Sequence, residues 1–88
     1  MKMSKEHEFA IQQWAEALGW SVEETPSKIC LTSPGTGDSV YAVIRLGEIA
    51  SVHIGRLANT PLSEAGIAAT ILRLQAVQQA VAVLRGTI

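Results

Sequence analysis

The chain has 88 residues, of which 48% are hydrophobic and only 17% charged, and its formal net charge is −1. That length makes residues 1–88 a single domain, and the hydrophobic content excludes a disordered tail. The seven basic residues (Lys2, Lys5, Lys28, Arg45, Arg56, Arg73 and Arg85) are scattered, so no basic run marks a nucleic-acid or anionic-lipid footprint.

In chain order, Ser4 reads as a helix N-cap, with Glu6 and Glu8 placed to complement the macrodipole. Ile11, Trp14 and Leu18, widened by Ala10 and Ala15, form an apolar stripe that predicts a helix over roughly residues 5–18. Gly19 ends it as a left-handed C-terminal residue, and Phe9 lies on the opposite face. Trp20 to Glu24 alternates like a strand until Thr25-Pro26-Ser27 breaks the pattern. Lys28 to Thr32 is a short strand with Ile29 and Leu31 on one face and Cys30 on the other, and Ser33 to Asp38 is a loop by composition.

Ser39 to Leu46 and Ile49 to Arg56 read as the clearest strands, joined by a type II′ turn at Gly47-Glu48. That turn pairs Ile44 with Ser51, Ala42 with His53 and Val40 with Gly55, and leaves both sheet faces substantially apolar. Thr60-Pro61 opens a last helix as N-cap and N1, and Gly86 closes it. At about 37 Å this helix is expected to overhang a domain only ~30 Å across. Ile67, Ile71, Leu74, Val77, Val81 and Leu84 form the stripe suited to the sheet. Ala65, Ala69, Leu72, Ala76 and Val83 form a second, heptad-like seam on the other side, open either to another subunit or to the first helix of the same chain.

The chemistry-bearing residues are sparse. One cysteine, Cys30, excludes an internal disulfide and any CxxC motif, and two histidines, His7 and His53, fall short of a zinc ligand set. His7 is expected to solvate a helix start and His53 to sit on a sheet face beside Ser51. The Ser33-Pro-Gly-Thr-Gly-Asp38 loop lacks the Lys-Ser/Thr pair and following helix of a phosphate loop. Nothing in the spacing of Ser39, His53 and Asp38 supports a catalytic triad. The amino terminus has no apolar signal-peptide core, and the apolar stretches are broken by Arg73, Gln75, Gln78 and Gln79. The expectation is a cytoplasmic protein away from membranes.

The order of one helix, antiparallel strands and a long helix resembles the double-stranded RNA-binding domain, a resemblance that implies binding to nucleic acid. That family places a Lys-Lys cluster at the start of its last helix. The matching stretch here, Pro61-Leu-Ser-Glu-Ala-Gly66, has no basic residue. Leu18-Gly19 closing the first helix, and Gly55-Arg-Leu57 ahead of the last, are similar to the small dimeric chaperones of type III secretion. That resemblance implies a self-associating chaperone, although the further strands and final helix usual in the family are not in this sequence.

These readings converge on an α+β fold of order α-β-β-β-β-α, with an antiparallel meander sheet packed by helices. The expected function is a non-enzymatic protein–protein interaction module, a self-associating adaptor, chaperone-like or inhibitory protein, working as a homodimer or homo-oligomer. It is expected to need no cofactor or metal, to take an unidentified protein partner and to bind nucleic acid weakly at most. The alternative is a nucleic-acid-binding domain of double-stranded-RNA-binding topology. The candidate interface comprises Ala65, Ala69, Leu72, Ala76 and Val83 on the last helix, with Ile44 and His53 on a sheet face as a target surface.

Overall fold

In the structure, Ser4 takes extended backbone and its hydroxyl accepts the His7 N–H at 3.0 Å, while Gly19 adopts φ 71°. Between these caps runs α1 (Lys5–Leu18), as the apolar spacing predicts. This is a computed structural model that describes residues 4–57 and 64–86, the side chains of Glu64 and Ala65 excepted. The remaining elements are β1 (Ser21–Thr25), β2 (Lys28–Thr32), β3 (Ser39–Arg45), β4 (Glu48–Arg56) and α2 (Glu64–Arg85). The four strands pair in chain order as an antiparallel meander, so the expected α+β architecture is the one observed. The predicted Thr60-Pro61 cap lies outside the described residues.

The β3–β4 hairpin departs from the sequence reading by one residue. Its central residues are Leu46 (φ 55°) and Gly47 (φ 75°), and Arg45 pairs with Glu48. Two positive φ values make a type I′ turn in place of the expected type II′, one residue earlier; both types suit the twist of the flanking strands. Register shifts then leave Ala50 and Gly55 of β4 without a partner on β3. Each is a bulge, and each moves the following residues by one place. The observed pairs are Ile44 with Ile49, Ala42 with Val52, Tyr41 with His53 and Val40 with Ile54.

This register corrects the expectation of two apolar faces. Val40, Ala42, Ile44, Ile49, Val52 and Ile54 all share one face, continued by Ile29 and Leu31 of β2. Ile11, Ala15 and Trp20 meet that face from the α1 side, and Val77, Ala80, Val83 and Leu84 from α2. Trp14 packs edge-on against Trp20, with ring centroids 5.1 Å apart. The outer face carries Lys28, Cys30, Tyr41, Val43, Arg45, Ser51 and His53, and no described helix covers it.

Val77, Val81 and Leu84 of the predicted α2 stripe pack in or against the core as expected, whereas its N-terminal half differs. Gly66, Thr70, Arg73, Val77, Ala80 and Leu84, spaced alternately four and three apart, are the more covered residues of the helix. Ile67, Ile71 and Leu74, expected against the sheet, are exposed. The helix is therefore rotated so that small and polar residues face inward along its first three turns.

Leu46 is 95% exposed and sits in the left-handed region, where a side chain with a Cβ is strained by about 1–2 kcal/mol. Leu46→Asn should create the Asn-Gly pair that type I′ turns favour and raise stability by about 1 kcal/mol. A denaturant midpoint that falls on this substitution would contradict the turn assignment.

Candidate functional site

The one buried charged group among the described core residues is Asp38, 1% exposed at the end of the β2–β3 loop. Its position follows from local geometry: the Gly37 N–H donates to the Ser33 carbonyl at 2.7 Å, and the Ser33 N–H to the Asp38 carbonyl at 2.8 Å. The carboxylate accepts the Thr36 hydroxyl at 2.8 Å on Oδ2. Arg73 of α2 completes the arrangement, donating from Nε to Oδ2 at 3.1 Å and from Nη2 to Oδ1 at 2.9 Å. This two-pronged geometry is the strong form of a carboxylate–guanidinium pair. The hydrogen bond to Asp38 raises the Arg73 pKa above the ordinary guanidinium value; desolvation opposes the shift and the Asp38 charge adds to it.

The other end of α2 is held by α1. His7 donates from Nε2 to the Val83 carbonyl at 2.7 Å, and Trp14 from Nε1 to Gln79 Oε1 at 3.4 Å. His7 thus gives a second donor to the Val83 carbonyl, which also accepts the Gly86 N–H at 3.2 Å, instead of facing solvent at its own helix start. These contacts place α1 over part of the predicted seam. Val83 is 2% exposed and belongs to the core, and Ala76 packs against the core as a partly buried residue. Ala69 and Leu72 remain exposed, Leu72 at 67%. The side chain of Ala65 lies outside the described residues. The seam is split, its C-terminal half covered by α1 and its N-terminal half open.

Because α1 also packs on β1 while α2 packs on β3 and β4, the flank of α2 away from α1 faces the β4 side of the sheet. That flank carries Ile67, Ile71 and Leu74, all exposed. Ile54 near the end of β4 and Leu57 just after it are exposed as well. Beside them runs β4, an edge strand whose described strand partner is β3 alone. By length and composition Gly66–Arg85 would suffice to span a membrane. In this fold its Val77, Ala80, Val83 and Leu84 lie in the core and its Arg73 is paired with Asp38.

On the outer sheet face, the His53 ring stacks on Tyr41 at 5.1 Å and hydrogen-bonds Ser51 Oγ at 2.7 Å. The Lys28 ammonium sits 4.5 Å from the Tyr41 ring centroid. Gly55 packs closely beneath this cluster: a Cβ there would lie 2.7 Å from Ser39 Oγ, which would have to rotate away, and 3.3 Å from Tyr41. Of the two predicted target residues, His53 is on this face and Ile44 is on the opposite one, against the core. Ser39, His53 and Asp38 do not assemble, because the Asp38 carboxylate is engaged by Thr36 and Arg73 on the core side. Among the described residues, no group of three or more His, Cys, Asp or Glu side chains is placed to hold a metal. A shallow depression on α2 is lined by Gln75, Gln78, Gln79 and Ala82, which offer no acid, base or nucleophile.

Sequence reasoning missed the Asp38–Arg73 pair. A signal was present: Arg73 is the one charged residue between Glu64 and Arg85 of an otherwise apolar and amide-rich helix. Its charge needs a partner once the helix packs on the sheet. In comparisons with protein-family models, curated proteins and solved structures, nothing matches this chain.

Asp38→Ala should free the N-terminal half of α2 while its His7-bound end stays packed. Amide exchange should accelerate most over residues 66–76, with a lowered thermal midpoint. Uniform acceleration along the whole helix would show that the pair does not act locally.

Proposed function

We propose that the protein is a non-enzymatic interaction module that self-associates as a homodimer and serves as an adaptor, chaperone-like or inhibitory protein. The observation that carries this reading is the row of exposed branched side chains, Ile67, Ile71 and Leu74, beside exposed Ile54 and Leu57. Five branched apolar side chains, each about half exposed, amount to roughly the few hundred Å2 of apolar surface that marks interaction sites. A standard interface buries about 800 Å2 per partner, little more than half of it apolar, so this patch suffices for its apolar core.

Light scattering on the purified protein should give a dimer mass at micromolar concentration. Ile71→Glu should yield a folded monomer, because Ile71 is exposed and contributes little to the core. Ala76→Glu should instead unfold the domain, because Ala76 packs against the core. A wild-type protein that stays monomeric at high micromolar concentration would remove the reading.

Nucleic-acid binding is the second reading, and it draws on one observation. Lys28, Arg45 and Arg56 share the outer sheet face with the Tyr41–His53 stack. Glu23 and Glu48 lie on the same face, so little counterion release is available to drive phosphate binding. Titration with duplex RNA at about 150 mM salt should give at most weak, non-specific binding. Submicromolar affinity would reverse the ranking of the two readings.

A further inference from the structure

We propose that a second copy of this chain packs its α2 antiparallel against α2, about a two-fold axis beside Ile71, so that Ile67 of each copy meets the partner's Leu74. This inference rests on the self-association reading and names the contact and its polarity. Ile67, Ile71 and Leu74 are exposed, and their spacing of four and three is that of a helix–helix seam. The seam is short, about 10 Å of helix. Two free helices would not hold together on so little, but each α2 is already fixed to its own sheet. Val77, Ala80, Val83 and Leu84 anchor its second half in the core, and Arg73 holds its first half to Asp38. The two flanks therefore meet with little left to order, which keeps the entropic cost of the contact low.

A two-fold interface must match itself. From Gly66 to Leu84 the one charged residue is Arg73, and its guanidinium is turned to Asp38, so two flanks can meet without taking an unpaired charge out of water. The flank continues along the helix to Gln78, Val81 and Arg85. It ceases to be an open apolar surface beyond Leu74, because Gln78 is polar and Val81 packs against the core. A parallel pair would bring the two Arg85 side chains to the same end of the seam and align the two macrodipoles. In an antiparallel pair each Arg85 lies about 21 Å from the axis and about 42 Å from its counterpart. The contact is then confined to the apolar run, whose midpoint falls between Thr70 and Ile71. Because the flank faces the β4 side, exposed Ile54 and Leu57 lie on the side from which the second copy approaches. Their area adds to that of the seam and supplies the apolar core of an interface of about 800 Å2 per partner.

Disulfide formation reads the polarity directly, because it needs facing side chains. Cys30→Ser proteins carrying Ile67→Cys or Leu74→Cys should cross-link efficiently when mixed, and poorly when either is oxidised alone. Ile67→Lys or Leu74→Glu should each weaken the dimer by roughly tenfold or more, and the double variant should recover most of that loss. A parallel pair would give the opposite pattern, with each cysteine variant cross-linking alone and the double charge variant weaker than either single one. That pattern, or a dimer by light scattering with no cross-link in the mixture, would overturn the antiparallel pairing and leave self-association standing. A monomer at high micromolar concentration would overturn both. A monomer that floats with phosphatidylcholine–phosphatidylglycerol vesicles would also overturn both and assign the α2 flank to lipid.

Discussion

The pairing of Arg73 with Asp38 constrains this structure more than any other single interaction. Without it, the first three turns of α2 would touch the sheet through Gly66 and Thr70, residues that bury little apolar area. Fully buried side chains begin only at Val77. A helix of 22 residues extends about 33 Å, and its apolar anchor occupies the C-terminal part alone. The two-pronged guanidinium–carboxylate pair holds Arg73 toward the sheet and so restricts the rotation of the remainder. Fixing Arg73 inward turns Ile67, Ile71 and Leu74 to one flank and Ala69 and Leu72 to the other. The exposed apolar surface is thus a consequence of a buried polar contact.

Strand β4 shows the same dependence of surface on local geometry. A regular hairpin with the turn at Gly47-Glu48 would have put His53 opposite Ala42, on the core side. The type I′ turn at Leu46-Gly47 and the bulge at Ala50 together set His53 beside Tyr41 instead. Gly55 provides the second bulge and lets Tyr41 pack closely against the strand. The outer face acquires its Lys28–Tyr41–His53–Ser51 cluster from these irregularities.

What was legible in the sequence follows from where local signals are strong. The caps at Ser4 and Gly19 and the stripe of Ile11 and Ala15 fixed α1, and the β-branched runs with intervening turns fixed the meander. Bulges leave no periodic mark, so the faces of β4 were misread although the strand itself was found. The α2 rotation was hidden for a different reason: apolar residues occupy both flanks, and in the first three turns the contact line of Gly66, Thr70 and Arg73 has no hydrophobic signature, although Val77 and Leu84 further along were legible as core. Ala76 and Val83 looked like a seam for another subunit because their cover comes from α1, more than sixty residues away in sequence. The candidate surface was legible in kind, as apolar excess on the last helix, and not in its residues.

The placement of that excess bears on what kind of partner fits. A lipid surface would favour an apolar flank rimmed by basic side chains that reach anionic headgroups. The flank of Ile67, Ile71 and Leu74 has Gln78 and Arg85 further along the helix, and the one basic residue in its first half, Arg73, is turned inward to Asp38. A protein partner needs no such rim, and a partner with an exposed strand edge of its own would add hydrogen bonds that lipid cannot supply. The edge of β4 that no described strand covers lies on the same side of the sheet as that flank. A helix flank and a strand edge offered side by side favour an occupant with the same two features in register, and a second copy of this chain has them by construction.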